Sequence, residues 1–164
     1  MAGPGAGREV NQRSASWLDK KLSGRRVLID TNIIIYLTDA VPPYVDLARG
    51  VFRSLEAGRF SAVFSLVSVA EIICGPLRKG LGEAAFRARD YLLNFPNAVC
   101  PPVDESVISA VGIDSRVKWE RLRAADALII ASGLVHGVDC FLSNDLRWRG
   151  AVAEELLLTF DAPG

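Results

Sequence analysis

Asp30, Glu71, Asp126 and Asp145 each stand in an apolar stretch of the chain, and four carboxylates drawn into one pocket form a site for a hard divalent cation. Asp30 follows Val27-Leu28-Ile29 and opens Asp30-Thr31-Asn32 ahead of a second apolar run, Ile33 to Leu37. Glu71 lies in Ser68-Val69-Ala70-Glu71-Ile72-Ile73, and Asp126 lies in Ala124-Ala125-Asp126-Ala127-Leu128-Ile129-Ile130. Asp145 closes Phe141-Leu142-Ser143-Asn144-Asp145. Carboxylates a few ångströms apart repel one another and take up protons near neutrality unless a cation compensates them. Oxygen ligands without histidine or paired cysteine favour Mg²⁺ or Mn²⁺, as one ion or two. An ion of this kind polarises a phosphodiester and activates water, and two ions about 4 Å apart steady both the attacking and the leaving oxygen. Phosphodiester hydrolysis is the chemistry such a pocket would serve.

Each acid also has a plainer role open to it. Asp30 can cap the helix that follows it, and Asp126 can complement the dipole of its own helix. Glu71 can be an ordinary helix-surface residue, and Asp145 can belong to a turn after a strand. What favours a shared site is the set of four, each at the end of an element or in apolar surroundings.

The elements that would position them follow from periodicity. A strand over Arg26 to Asp30 presents Asp30 at its carboxyl end, the side on which open α/β sheets bind ligands. Pro42-Pro43 breaks the chain, and Val45, Ala48, Val51, Phe52 and Leu55 then recur at helical spacing up to Gly58, predicting a helix over Tyr44 to Ala57. Phe60 to Ser65 reads as a buried strand, and Ser65 or Ser68 caps a helix that carries Glu71 and stops near Gly75-Pro76. Ala85, Phe86, Ala88, Leu92 and Leu93 predict a helix over Gly82 to Asn94, followed by a short strand over Ala98 to Cys100. Asp104 to Trp119 reads as a helix with Val107, Ile108, Val111 and Val117 facing inward, although Gly112 weakens its middle. Arg123 to His136 is a further helix with Asp126 in its first turn, and Val138 to Ser143 and Glu155 to Phe160 are strands. Strands alternating with helices imply a three-layer α/β fold with a central, mostly parallel sheet flanked by helices. Ser14 to Leu22 can form a short amphipathic helix inside a flexible or short-helical extension over residues 1–24, which leaves residues 25–164 as the main domain.

At 164 residues, half of them hydrophobic, the chain can build one substantial core. Nineteen basic residues balance nineteen acidic ones, so no overall basic field announces a polyanionic partner. Setting aside the four acids of the pocket leaves the remainder with a surplus of basic residues, so neutrality does not exclude such a partner. Cys74, Cys100 and Cys140 are odd in number and lie in apolar sequence, which predicts buried thiols and a reducing cytoplasm. The single histidine, His136, near a predicted helix end, reads as a cap or surface residue and nearly removes histidine-centred catalysis. No run has the character of a secretory signal or the length of a membrane span.

With these residues in place, the chain resembles the PIN domain family, and within it the VapC-type ribonuclease toxins of toxin-antitoxin pairs. The likeness covers about Arg26 to Phe160. It is carried by Val27-Leu28-Ile29-Asp30-Thr31-Asn32, Ser65-Leu66-Val67-Ser68-Val69-Ala70-Glu71, Arg123-Ala124-Ala125-Asp126-Ala127-Leu128-Ile129-Ile130-Ala131 and Phe141-Leu142-Ser143-Asn144-Asp145. The resemblance implies a PIN-like nuclease domain over residues 25–164 and a Mg²⁺- or Mn²⁺-dependent endoribonuclease. Its acids correspond to Asp30, Glu71, Asp126 and Asp145: the three aspartates as direct or water-mediated ligands, and Glu71 as a further holder of the ion or an acceptor of a proton from water. Asn32 and Ser143 match polar positions that orient the carboxylates. The resemblance also implies an RNA substrate, a cognate antitoxin, a homodimer and a cytoplasmic location. The chain departs from the compact toxins in its longer extension before Asp30 and in Leu146-Arg147-Trp148 after Asp145.

Arg121, Arg123 and Arg147, with Arg116, Lys118 and Arg149, lie close in sequence to Asp126 or Asp145 and can hold RNA phosphates, as readily as they can form a solvated surface. Trp119 and Trp148 are expected to pack in the core or an interface rather than stack on bases. The alternative reading from another class is a PIN-like RNA-binding or regulatory protein without cleavage activity; the full set of four acids weighs against it. A phosphatase of the haloacid dehalogenase type needs a second aspartate where this chain has Asn32. A dinucleotide-binding domain needs a glycine-rich turn after the first strand, and none follows Asp30.

Overall fold

The computed structural model describes residues 11–163; the expectation of a flexible first few residues lies outside them. Five strands form one sheet: β1 (Arg26–Ile29), β2 (Ser61–Val63), β3 (Ala98–Val99), β4 (Cys140–Leu142) and β5 (Leu157–Leu158), in the order β3-β2-β1-β4-β5. Every pairing is parallel, so the sheet is wholly rather than mostly parallel. Helices make the crossovers: α2 (Thr31–Thr38) and α3 (Val45–Glu56), α4 (Leu66–Arg78) and α5 (Gly82–Leu93), α6 (Glu105–Ala110) and α7 (Ala124–Val135), and α8 (Leu146–Ala151). The chain runs outward from β1 to β2 and β3, then returns to place β4 on the other side of β1. The strand order therefore reverses between β1 and β4, the point at whose carboxyl ends open α/β sheets form a ligand crevice.

Alternation along β1 divides the core. Val27 and Ile29 face a cluster containing Ile33, Ile34, Phe52, Leu55 and Phe64, whereas Leu28 joins Val63, Phe141, Ile129, Ile130 and Trp148 on the opposite face. Both faces are covered, which explains why the strands read as continuous apolar runs. Gly133 of α7 sits where an added Cβ would lie 2.8 Å from Phe141 and 2.9 Å from Leu28. Its bare backbone lets the helix approach the sheet.

The amino-terminal arm belongs to the same core. Ser14 caps α1 (Ala15–Leu22) by accepting from the Trp17 amide, and Leu18 and Leu22 are buried in the first cluster. Beside α1, the Arg13 amide donates to the Phe160 carbonyl at 2.6 Å, and Gln12 bridges Asp161.

Several expectations need correction. The helix from Asp104 ends at Ala110 instead of reaching Trp119. Gly112 adopts a φ of +89°, Asp114 folds a turn around Arg116, and Val117 leaves to bridge Val152, so pairing with residues 151–153 outcompetes helix continuation. Ile108, Phe86 and Leu93 face solvent because only one narrow stripe of their helices meets the sheet. Helix α4 passes Pro76 and ends at Arg78; the proline costs an amide only in the last turn, where Lys79, Gly80 and Leu81 fold back onto the Pro76 and Leu77 carbonyls. Cys140 is buried and Cys100 half-buried, but Cys74 is exposed on the outer side of α4, opposite buried Ile72. No helix among the described residues is long and apolar enough to cross a membrane.

Candidate active site

Asp30 ends β1 and caps α2, and it is only 4% exposed. Its Oδ1 accepts from the Thr31 amide at 2.7 Å and its Oδ2 accepts from the Ser143 hydroxyl at 2.6 Å. Neither oxygen is bonded by a basic side chain among the described residues. Burial pushes this carboxyl from 3.8 up to about 7; the Ser143 and Thr31 hydrogen bonds oppose the rise, and the like charges of Asp126 and Asp145 add to it.

The end of the neighbouring strand mirrors this arrangement. Ser143-Asn144-Asp145 follows β4, and Asp145 caps α8 by accepting from the Arg147 amide at 2.9 Å. Asn32 donates to Ser143 Oγ at 3.4 Å and accepts from the Asn144 amide at 3.3 Å, while the Asp145 amide reaches Ser143 Oγ at 3.2 Å. Asn32 and Ser143 therefore tie the two strand ends together and aim Ser143 at Asp30.

Asp126 lies in the first turn of α7, half-buried, and its Oδ1 accepts from the indole N–H of Trp148 at 3.2 Å. Trp148 is wholly buried and Trp119 packs against the same cluster with its indole on the Asp114 carbonyl, so both tryptophans serve packing. Glu71 stands exposed on α4 at the rim. Desolvation by its apolar flank and the charge of Asp126 raise its pKa, against the opposing influence of Arg147 and Thr31. The same structure that buries Thr31 ties its hydroxyl to Ser68 at 2.9 Å, which links the start of α2 to α4.

Arg147 grips Asp145 with two bonds, Nη2 to Oδ2 at 2.9 Å and Nε to Oδ1 at 3.2 Å. Burial alone would raise the Asp145 pKa, but the bonds and charge of Arg147, with Arg123 behind it, hold it below the ordinary value. Arg121 and Arg123 are exposed beside this rim, Arg121 donating to the Gly150 carbonyl at 3.2 Å. Arg116 is turned away onto Asp114.

Asp126 and Asp145 thus lie near enough to Asp30, and Asp126 near enough to Glu71, for their charges to be felt. As oriented, no three acidic, histidine or cysteine side chains among the described residues share one ion-sized space, because Asp145 is turned to Arg147 and Asp126 to Trp148. The donor set nevertheless fits a hard divalent cation: carboxylate, hydroxyl and amide oxygens without thiolate or imidazole, around a buried carboxylate that no basic side chain among the described residues hydrogen-bonds. Mg²⁺ keeps several of its own waters and so reaches carboxylates it does not touch directly.

Sequence reasoning passed over a second network. Asn144 donates to Asp161 Oδ2 at 3.0 Å and to Tyr36 OH at 3.3 Å, Tyr44 donates to the same Asp161 oxygen at 2.9 Å, and the two tyrosine rings stack at 4.4 Å. Asp161 stands three residues beyond the end of β5, and an acid shortly after Leu156-Leu157-Leu158 was the signal available. His136 ends α7, as its place in the sequence indicated.

The sequence profile of the family described as PIN domain matches residues 27–153. The chain belongs to the PIN domain family. No curated protein sequence matches it. Among solved structures this PIN domain is similar to VapBC2 of Rickettsia felis bound to a DNA fragment from its promoter, at 16% identity and a TM-score of 0.61 over 83% of this chain and 99% of that one. It is equally similar to DNA-bound VapBC of Salmonella typhimurium, at 15% identity and a TM-score of 0.61 over 83% and 98% of the two chains. VapC20 of Mycobacterium tuberculosis, described as a sarcin-ricin loop cleaving toxin, aligns at 19% identity and a TM-score of 0.55 over 77% and 96%. At these identities the likeness is one of fold.

Proposed function

We propose that this PIN-domain protein is a divalent-metal-dependent endoribonuclease that hydrolyses RNA phosphodiester bonds, and that it is the toxin of a toxin-antitoxin pair working in the cytoplasm. One observation carries the reading: Asp30, buried at the strand-order switch point, bears the charges of Asp126 and Asp145, and neither of its oxygens is bonded by a basic side chain among the described residues. A buried anion under like-charge repulsion is stable near neutrality when a proton or a cation joins it. Mg²⁺ or Mn²⁺, as one ion or two, would supply that charge and the activation of the scissile phosphate and water.

In this reading Asp30, Asp126 and Asp145 hold the ion directly or through water. Ser143 and Asn32 fix the Asp30 carboxylate and the turn that carries Asp145, and Trp148 fixes Asp126. Glu71, with its raised pKa at the rim, takes a proton from the attacking water. Arg147 compensates Asp145 in the metal-free protein, and once exchanged from it joins Arg121 and Arg123 in binding RNA phosphates. The nuclease domain is assigned to residues 25–164, with α1 before it packed into the same core. The structurally similar VapBC assemblies support an antitoxin partner, VapC20 supports RNA as substrate, and a homodimer is proposed on the same family grounds.

The test is incubation of the full chain with single-stranded RNA and Mn²⁺. Cleavage that a chelator stops, and that Asp30→Asn and Asp126→Asn abolish, is expected. Binding of Mn²⁺ without cleavage of any RNA at stoichiometric protein would instead leave an RNA-binding or regulatory protein.

A further inference from the structure

At the outer edge of the sheet, β5 and α1 border a cleft of about 340 Å³. Arg13, Lys21, Arg25 and Arg149 line it, with Trp17 on its wall and Leu157 and Leu158 on its floor. The Nε atoms of Arg13 and Arg149 are buried without a hydrogen-bond partner among the described residues, and the two guanidinium groups are held in place by the Trp17 ring and the Asp161 carbonyl respectively. Arg13 lies 4.2 Å from the centre of the Trp17 ring and Lys21 lies 5.8 Å from it, so the aromatic face carries a cation on either flank in sequence. Glu154 and Glu155 also line the cleft, but neither forms an ion pair among the described residues, and the field of Glu155 falls on Arg116. Among the described residues that line the cleft, four cations stand against two acids, in a chain whose total charge is zero.

A chain of hydrogen bonds joins the cleft to the turn that carries Asp145. Arg149 stands two residues after Arg147 in α8, and its Nη2 donates to the Asp161 carbonyl at 3.0 Å. The Asp161 carboxylate in turn holds Asn144, the neighbour of Ser143 and Asp145. Of the residues lining the cleft, only Arg149 and Val152 fall within residues 27–153 matched by the family profile.

We propose that this cleft binds the backbone of a single RNA strand leaving the acidic crevice, which carries the substrate path across α8 onto the amino-terminal arm. The inference rests on the nuclease reading for the identity of the strand. Cations that track phosphates beside an aromatic ring and an apolar floor are how proteins hold unpaired nucleic acid with little regard for sequence.

The experiment is titration of a 5′-fluorescein oligouridylate of about 12 nucleotides with the full chain in excess chelator, repeated over a range of salt concentrations and with polyglutamate as competitor. Lys21 is exposed and Arg25 lies half-exposed at the surface, so the double variant Lys21→Ala, Arg25→Ala keeps the fold, as circular dichroism would verify. It should lower the slope of log affinity against log salt by about 1.4, at about 0.7 per lost phosphate contact. Trp17→Ala should weaken binding by about fivefold or more. Wild-type affinity and slope in the double variant would overturn the cleft as the RNA path while leaving Mn²⁺-dependent cleavage, measured separately on the same oligonucleotide, to stand or fall alone. Failure of the wild-type chain to bind the oligonucleotide would overturn it too, as would stronger cleft-dependent binding of polyglutamate, which would assign the cleft to an acidic protein segment.

Discussion

Replacing Asp30 by asparagine should stabilise the metal-free protein, and by an amount that depends on pH. The Asp30 carboxyl is 4% exposed, and its pKa stands at about 7 against 3.8 for the free side chain. Because the folded-state value is raised, the native protein binds the proton more tightly than the unfolded chain does. Below about pH 4 both states are protonated and Asp30 carries no penalty. As pH rises from about 4 to about 7 the unfolded chain ionises first, so native stability falls; above about pH 7 the loss is complete. A shift of about three units corresponds to about 4 kcal/mol at pH 8, and a little under 2 kcal/mol has accrued by pH 5. Asparagine keeps an oxygen for the Thr31 amide, but its N–H groups meet a Ser143 oxygen that already accepts from Asn32 and Asp145, and losing that hydrogen bond offsets about 1–2 kcal/mol of the gain at every pH. In chelator, thermal unfolding of Asp30→Asn should therefore lie above wild type by roughly 4–12 °C at pH 8, at about 2–4 °C per kcal/mol for a chain of this size, with the gap closing towards pH 5. Mn²⁺ should raise the wild-type midpoint and leave the variant unmoved. A gap independent of pH, or a variant less stable than wild type at pH 8, would refute the electrostatic account of Asp30.

Glu71→Gln should slow Mn²⁺-dependent cleavage while retaining more turnover than Asp126→Asn, measured as initial rates on one RNA; full activity would return Glu71 to a purely structural role. Leu18→Ala empties a buried position where α1 meets the core and should cost about 2–5 kcal/mol in urea unfolding; an unchanged midpoint would mean that the arm is detachable. Gly133→Ala forces a methyl against Phe141 and Leu28 and should cost about 1–3 kcal/mol despite the better helix propensity of alanine.

The legible parts of this fold were those set by local pattern. Val27-Leu28-Ile29 and Cys140-Phe141-Leu142 are buried on both faces, so each announced a central strand, and the polar residue after each marked the carboxyl ends where the crevice lies. Apolar spacing placed α3, α5 and α7 within a few residues. What the sequence hid were choices made by distant partners. Val117 abandons its helix for Val152, Phe86 and Ile108 lose their places to better-packed neighbours, and Cys74 lies one step off the buried stripe of α4. In the crevice, the strand-end acids and their flanking Asn32 and Ser143 were visible in short motifs. The Trp148 bond to Asp126 and the Asp161 clamp on Asn144 join residues 22 and 17 positions apart, and only packing reveals them.

The most direct measurement of the central claim is Mn²⁺ binding followed by the loss of the free-ion electron paramagnetic resonance signal. Wild-type protein should bind Mn²⁺, and Asp30→Asn and Asp126→Asn, both folded, should each lose that binding. Unchanged binding in either variant would contradict a shared metal site between β1 and α7.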